Sequence, residues 1–352
     1  MALSTLTGIR MTGLAACVPK KVVSNRDYNW IKEKEREQLI KTIGVETRRV
    51  ASKGVTTADL CVVAAEKLLT DLNWDRAEVD LLVFVSQSRD YLVPTTACIV
   101  QDRLRLPHSC VAFDVGMGCS GYVYGLSVVG SMMQAGHFRK ALLMVGDIST
   151  LTTHYRDKST YPLFGDVGTV TALEFDPTAG PMYFNLQTDG SGYKALMIKD
   201  GGARNGLSRQ SFDVKKVSDG IYRSRMNLEL DGVEVFNFTL REVVPNIKKL
   251  LTYSNQTLGD TDWVVFHQAN RLINETLRKM LKIDPAKVPY SIKEFGNTSG
   301  ASVPLTLLVA LQDALRQNRN KLLLSAFGVG LSWGSALLET NTLCVPDLLE
   351  VD

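Results

Sequence analysis

An internal repeat constrains the fold of this chain more than any other feature of its sequence. Three segments of residues 1–177 have counterparts, in the same order, in residues 178–352. The matching pairs are 80–84 with 262–266, 140–145 with 321–326, and 168–174 with 334–339. The first two pairs are short apolar runs, a pattern that predicts buried strands. We therefore predict two similar halves, 1–177 and 178–352.

Segments with apolar residues at helical spacing lie between these strands. They are residues 58–71, 125–133, 271–281 and 304–315. Strands that alternate with helices predict βαβ crossovers, largely parallel sheets and an α/β fold class. Because the strands are apolar throughout, we expect helices on both faces of each sheet. Residues 187–227, rich in Gly, Ser, Lys and Arg, interrupt the repeat, and we predict an inserted loop or cap there, hereafter the insert.

The composition argues against several classes of function. The net charge of the 352 residues is +3, and no basic run alternates with aromatic residues, so we expect no nucleic-acid partner. No apolar stretch is long enough to span a membrane, and no signal-peptide pattern is present. The six cysteines are scattered without a CxxC pair. This spacing argues against a disulfide framework or a metal site and favours a cytoplasmic location.

Cys119 lies between a glycine-rich turn and the start of a predicted helix. Glycines permit a tight turn from strand to helix. We expect the free N–H groups and the dipole at the helix N-terminus to lower the pKa of this thiol and to favour the thiolate. We therefore predict that Cys119 is a nucleophile. The alternative is a buried structural cysteine, a role that we assign to Cys17, Cys61, Cys98, Cys110 and Cys344.

His267 directly follows the predicted strand 262–266 and precedes an amphipathic helix. Catalytic groups of α/β proteins gather where strands end and helices begin, so we predict that His267 takes part in catalysis. The alternative is a structural or surface role, which is the more common one for a lone histidine. For the other histidines no neighbouring residues support catalysis, and we assign structural or surface roles to His108, His137 and His154.

Two further turns of the second half complete the predicted site. Asn297 lies in a polar turn before an apolar helix, and the repeat makes this turn the approximate counterpart of the Cys119 turn. The alternative role for Asn297 is to cap that helix. Residues 327–334 form a glycine-dense turn between two strands, with Val329 between its glycines. We predict an oxyanion hole made by the backbone N–H groups of Cys119 and Val329.

Several motifs make the sequence identifiable, and they extend over nearly the whole chain. They are Gly118-Cys119-Ser-Gly, His267-Gln-Ala-Asn270, Gly296-Asn297-Thr-Ser and Trp333-Gly-Ser-Ala-Leu, with further matches at 44–48, 164–166 and 231–236. In this order and spacing they resemble the β-ketoacyl-acyl-carrier-protein synthase III family of the thiolase superfamily. The catalytic Cys-His-Asn set of that family falls on Cys119, His267 and Asn297.

The resemblance implies a homodimer with a thiolase-like, five-layered αβαβα fold made of two similar halves. It also implies a decarboxylative Claisen condensation in fatty acid biosynthesis. An acyl thioester loads Cys119, a malonyl thioester loses CO₂, and its enolate attacks the acyl group to give a β-ketoacyl thioester. The substrates are carried as CoA or acyl-carrier-protein thioesters, so no metal or other cofactor is expected.

The resemblance also implies contacts with the substrate, at Val93, Lys158, Phe236 and Arg271. The family clamps the adenine of CoA between a tryptophan and an arginine, and these positions fall near Gln38 and Lys158 here. We therefore expect a carrier-bound thioester to be the donor. At the position of Val93 the family can have an aromatic residue that lines the acyl pocket of the partner subunit. Valine at this position predicts a starter acyl group different from that of such family members.

Docking of the carrier is predicted on a basic helix face formed by Arg271, Arg278, Lys279 and Lys282. A merely solvated face is the alternative. For the reaction itself, the alternative is an acyltransferase on the same scaffold that moves the acyl group from Cys119 to an oxygen or nitrogen acceptor. A non-catalytic subunit is disfavoured because Cys119 is present.

Overall fold

The computed structural model describes residues 2–136 and 138–352, so His137 lies outside the described residues. The α-helices of this part of the chain are α1 (Glu33–Ile43), α2 (Thr57–Leu72), α3 (Thr96–Arg103), α4 (Gly121–Gln134), α5 (Gly232–Ser254), α6 (Arg271–Met280), α7 (Ile292–Phe295) and α8 (Ser302–Gln317). The strands are β1 (Ala2–Leu6), β2 (Ile9–Pro19), β3 (Val22–Ser24), β4 (Thr47–Arg49), β5 (Leu81–Val85), β6 (Val111–Val115), β7 (Lys140–Asp147), β8 (Val167–Phe175), β9 (Met182–Thr188), β10 (Leu196–Met197), β11 (Lys215–Ser218), β12 (Ile221–Arg223), β13 (Glu229–Leu230), β14 (Trp263–Phe266), β15 (Asn320–Gly328), β16 (Ser332–Thr340) and β17 (Leu349–Val351).

Two sheets form the framework. The first has six strands in the order β17-β2-β8-β7-β5-β6, and the second has five in the order β1-β9-β16-β15-β14. The central helices α4 and α8 contact strands of both sheets. Helices α2 and α3 pack on the outer face of the six-stranded sheet, and α5 on the outer face of the five-stranded sheet with α6 beside it. The layers therefore run helix, sheet, helix, sheet, helix, which confirms the predicted five-layered αβαβα fold.

The repeat is visible in the two sheets. In the first half, the predicted strand β5 lies parallel to β7, which pairs antiparallel with β8. In the second half, the predicted strand β14 lies parallel to β15, which pairs antiparallel with β16. The prediction of largely parallel sheets was therefore wrong. Strands β15 and β16 are joined by three residues, which is too short for a crossover, so they must run antiparallel.

The terminal strands cross between the halves. The first strand, β1, pairs with β9 in the five-stranded sheet, and the last strand, β17, pairs with β2 in the six-stranded sheet. Each sheet therefore takes an edge strand from the opposite end of the chain. The boundary between residues 177 and 178 precedes β9 and remains a prediction.

The predicted insert is a small unit of short elements, whose residues Ala195 and Leu196 pack in the apolar cluster on the second sheet and whose Tyr222 contacts Trp30 of the first half. It starts within β9 and contains the short strand β10 and the hairpin β11–β12. A bidentate contact between Arg225, near its C-terminal end, and Asp200 in its interior, at 2.7 to 3.0 Å, ties the unit together, and Ser211 donates a hydrogen bond of 2.8 Å to the same carboxylate. None of the helices in the described residues has the length and apolar character needed to cross a membrane.

Candidate active site

The first site element is the turn from β6 to α4, which contains Cys119 two residues before α4 begins. The side chain is buried, with 8% exposed. Gly328, at the end of β15, lies against it: a Cβ atom at position 328 would come within 2.8 Å of the Cys119 Sγ atom. Glycine at this position therefore lets the β15–β16 turn approach the thiol.

The environment of the thiol differs from the prediction. Burial raises the pKa of Cys119, and the nearby Asp147 carboxylate raises it further. Hydrogen bonds from the backbone N–H of Val329 and from the Ser299 side chain act in the opposite direction but are outweighed. The expected lowering of the pKa was wrong, because the net shift is upward and burial, which desolvates the thiolate, is its largest cause. Before substrate binds, the group is a thiol.

His267 follows β14 and is held by a serine of α8. Its Nδ1 atom lies 2.7 Å from the Ser302 Oγ atom, which also accepts a hydrogen bond of 3.2 Å from the backbone N–H of Gln268. The Ser302 proton then has Nδ1 as its acceptor; the reverse arrangement would leave this buried hydroxyl proton unpaired. Nδ1 is thus unprotonated, and Nε2 carries the proton.

Burial also fixes the charge of this imidazole. It lowers the pKa of His267 from 6.5 to about 3, although a hydrogen bond to the Ser299 backbone acts in the opposite direction. The ring contacts Phe327 edge-on, with centroids 5.5 Å apart. At neutral pH, His267 is therefore a neutral hydrogen-bond donor and not a cation.

Asn297 follows α7 in a turn whose geometry depends on Gly296, which has φ of +69°. The Asn297 side chain is buried. Its Oδ1 accepts a hydrogen bond of 2.9 Å from the Ser299 N–H, and its Nδ2 donates to the Ala269 carbonyl at 3.3 Å. These contacts fix the orientation of the amide and leave the second hydrogen of Nδ2 as a donor for a ligand. The alternative role of a helix cap is not seen: no side-chain cap bond is made at the start of α8.

Two cavities meet at Cys119. The thiol cavity, of about 90 Å³, is lined by Cys119, Asp147 and Val329 together with apolar side chains that include Phe164 and Leu196. The imidazole cavity, of about 60 Å³, is lined by Cys119, His267 and Asn297, again with Phe164 and Leu196. The structure therefore brings the three predicted catalytic residues to the wall of one cavity, and it places Val329 in the other.

Residues that the sequence analysis missed support this site. Ser302 orients His267, and Ser299, which has φ of +51°, contacts the three predicted catalytic residues. Asp147 is buried in the thiol cavity, where it accepts hydrogen bonds from the N–H of Gln87 at 2.8 Å and from Ser86 Oγ at 3.0 Å. Burial raises its pKa. Ser299 lies in the same motif as Asn297, and this position could have indicated its role. No feature of the sequence near Asp147 indicates that it belongs to the site.

The predicted substrate-binding residues lie outside both cavities of this chain. Val93 is 84% exposed in the loop before α3. Lys158 forms an ion pair of 2.6 Å with Glu35 of α1 and donates its backbone N–H to the Gly220 carbonyl of the insert. Phe236 of α5 packs in the apolar cluster beside the site, while its neighbour Val235 lines the imidazole cavity.

The predicted basic face of α6 is smaller in the structure. Arg271 is exposed, and its guanidinium lies 5.5 Å from the Tyr290 ring. Arg278 forms an ion pair with Glu275 at 2.9 Å, and its side chain is 14% exposed. Lys282 lies beyond Met280, the last residue of the helix. The prediction of four cations on one helical face was wrong, because one is neutralised and another lies outside the helix.

Within residues 2–136 and 138–352, no group of three or more His, Cys, Asp or Glu side chains is arranged so that it could bind a metal ion. The chemistry of the site residues is that of a thiol with neutral hydrogen-bond donors. Such a set suits acyl transfer, in which negative charge develops on a carbonyl oxygen.

Two family models match the chain. Residues 113–190, which contain Cys119, match the model described as 3-oxoacyl-[acyl-carrier-protein (ACP)] synthase III. Residues 251–340, which contain His267 and Asn297, match the model of the C-terminal part of the same enzyme.

Known proteins match over nearly the full length. The β-ketoacyl-[acyl-carrier-protein] synthase III of Thioalkalivibrio sulfidiphilus is 32% identical over 95% of this chain and 99% of its own. A putative 3-oxoacyl-[acyl-carrier-protein] synthase 3 of Campylobacter jejuni is 34% identical over 97% and 96%. The crystal structure of a 3-oxoacyl-(acyl-carrier protein) synthase from Burkholderia xenovorans is 36% identical, covers 99% of both chains and superposes with a TM-score of 0.93. Together with the motifs, these matches show that the chain belongs to the β-ketoacyl-acyl-carrier-protein synthase III family of condensing enzymes.

Proposed function

We propose that this enzyme catalyses a decarboxylative Claisen condensation between an acyl thioester and a malonyl thioester. The observation that carries the proposal is that Cys119, His267 and Asn297 line one cavity. A nucleophilic thiol and two neutral donors are what the two half-reactions need. The membership of the family supports the same reaction.

Cys119 acts in the first half-reaction. Its sulfur attacks the acyl carbonyl carbon, the carbon–sulfur bond to the pantetheine arm breaks, and the thiol proton goes to the departing sulfur. The developing oxyanion is held by the backbone N–H groups of Cys119 and Val329, both of which face the Cys119 sulfur. Preorganised N–H donors of this kind typically contribute a few kcal/mol to the stability of such a transition state.

His267 and Asn297 act in the second half-reaction. The malonyl thioester loses CO₂, and the negative charge moves to its thioester oxygen. Nε2–H of His267 and Nδ2–H of Asn297 donate to that oxygen. The enolate carbon then attacks the acyl-cysteine carbonyl, the Cys119 sulfur leaves and takes up a proton, and a β-ketoacyl thioester is released. A neutral imidazole suits this role because it donates without needing to lose a proton.

We also propose that the protein works as a homodimer in the cytoplasm. Strand β6 lies at the edge of the six-stranded sheet, with one side of its backbone unpaired among the described strands. The neighbouring Tyr91, Leu92 and Val93 are 62%, 74% and 84% exposed. An open sheet edge beside apolar side chains favours pairing with a second copy. Val93 would then reach the partner's acyl cavity.

CoA or an acyl carrier protein would deliver the substrates, with Arg271 exposed beside Asn270 of the imidazole cavity. Phe236 would act indirectly because it packs behind Val235. Lys158 would act indirectly because it supports the insert. The alternative transfer to an oxygen or nitrogen acceptor is not favoured, because the relatives bear the names of ketoacyl synthases.

Product analysis tests the reaction. The enzyme is incubated with a panel of acyl-CoA donors and with malonyl thioesters, and products are detected by mass. We expect a β-ketoacyl thioester and one CO₂ per turnover. Acylation without release of CO₂, or turnover with an amine or alcohol in the absence of malonyl thioester, would contradict the proposal.

A further inference from the structure

The insert carries an excess of positive charge. Its 41 residues, 187–227, contain eight Lys or Arg and four Asp, a net charge of +4. The net charge of the whole chain is +3. The remainder of the protein is therefore slightly acidic, and the positive charge is concentrated in one small unit.

Five of these cations are exposed and unneutralised. Three others have partners: Arg225 pairs with Asp200, Arg223 with Asp157, and Lys199 with Glu229. In the part of the chain that the structure describes, the remaining cations form no ion pair. They are Lys194, Arg204, Arg209, Lys215 and Lys216.

Apolar side chains are exposed among these cations. Leu207 and Phe212 are each 61% exposed, and Val217 is 56% exposed. Nearly all residues from 201 to 219 are exposed, with Ser211 buried against Asp200. Asp213 and Asp219 are exposed in the same stretch without an ion pair among the described residues, so the cations outnumber the carboxylates there but are not alone. Apolar side chains among such an excess of positive charge suit an acidic protein partner with some apolar contact area.

The inner side of the insert forms part of the active site. Leu196 lines both cavities, and Ile198 lines the thiol cavity. The β11–β12 hairpin is held to the body of the protein by hydrogen bonds to the Gly220 carbonyl, from Trp30 Nε1 at 3.0 Å and from the Lys158 N–H at 3.2 Å. The exposed cations thus belong to the same small unit that walls the cavities.

We propose that the exposed surface of the insert, defined by Arg204, Arg209, Phe212, Lys215 and Lys216, docks the acidic carrier protein that brings the malonyl group. This inference rests on the proposed function. The free cations would attract the carrier, and its pantetheine arm would pass beside Leu196 to Cys119. Of the cations predicted on α6, Arg278 is neutralised by Glu275.

Kinetics with two donors test the proposal. The variants are R204E/R209E and K215E/K216E, and the matched control is K248E/K249E, which makes the same charge change at exposed positions of α5. The donors are malonyl-carrier protein, prepared with a bacterial acyl carrier protein, and malonyl-pantetheine. Binding of the unloaded holo-carrier protein is also measured, which requires no turnover.

We expect each insert variant to raise KM for malonyl-carrier protein about tenfold or more and to weaken carrier binding similarly, most strongly at low salt. Values for malonyl-pantetheine and for the control variant should stay within about twofold of the wild type.

Unchanged carrier binding in both insert variants would overturn the proposal, as would an equal rise in KM for both donors. The proposal would also be overturned if the wild-type enzyme bound phosphatidylglycerol vesicles, lost that binding in the insert variants, and did not bind the carrier protein. Absence of condensation by the wild type with either donor would contradict the proposed function instead, and carrier binding would still decide the docking surface.

Discussion

The protonation state of His267 is a quantitative consequence of the site. The pKa falls from 6.5 to about 3 because the ring is buried, so protonation in the folded protein costs roughly 5 kcal/mol more than in water. At pH 6 only about one molecule in a thousand would carry the imidazolium. The bond from Ser302 further predicts that the neutral ring carries its proton on Nε2.

NMR of ¹⁵N-labelled histidine measures both properties. The chain has four histidines, and the signal missing from H267N identifies His267. We expect its resonances to show the Nε2–H tautomer and to stay unchanged from pH 8 to pH 5. A midpoint between pH 5.5 and 7, or a proton on Nδ1, would refute the reasoning.

The same shift links stability to pH. The unfolded chain takes up a proton on His267 as the pH falls through 6.5, whereas the folded protein resists protonation down to about pH 3. Acidification therefore favours unfolding: the contribution of this group is fully present above pH 6.5 and about 2 kcal/mol of it is lost at pH 5. H267N should show a correspondingly smaller loss of stability between pH 8 and pH 5.

Further substitutions separate the roles of the site residues. Ser302→Ala removes the hydrogen-bond partner of both the Gln268 N–H and His267, so we expect the free energy of unfolding to fall by about 1–3 kcal/mol. We also expect a lower rate of malonyl decarboxylation, with an unchanged amount of acyl-enzyme in intact-mass spectra. Gly328→Ala places a methyl group within 2.8 Å of the Cys119 sulfur. We expect acyl loading to slow at least about a hundredfold, and loading at the wild-type rate would contradict the close approach. Asn297→Ala should slow release of CO₂ about 10² to 10³-fold without preventing acylation; equal losses in both steps would argue against a role confined to the enolate.

The architecture could be predicted from the sequence because buried strands and amphipathic helices have distinct periods. Helices predicted over 58–71 and 304–315 occur at Thr57–Leu72 and Ser302–Gln317. Strand direction could not be predicted in the same way, since an apolar run does not record which neighbour it pairs with. The three-residue connection between β15 and β16 was the available signal for an antiparallel pair.

The site was predictable where a residue type and a turn coincide. Cys119, His267 and Asn297 each follow a strand or precede a helix, and the structure brings them together. Local sequence could not predict the raised thiol pKa, because the desolvation comes from Gly328 and other residues remote in the chain. Nor could it predict Asp147, a carboxylate at the end of an apolar strand whose partners, Gln87 and Ser88, lie some sixty residues earlier.

The central claim is that one thiol first takes the acyl group and then passes it to a malonyl-derived carbon. Intact-mass spectrometry tests it most directly, with acyl-CoA added first and malonyl thioester second. We predict an acyl adduct on Cys119, absent from Cys119→Ala, that disappears upon addition of malonyl thioester as β-ketoacyl product and CO₂ form in equal amounts. An adduct on another residue, or product formed by Cys119→Ala at the wild-type rate, would contradict the account.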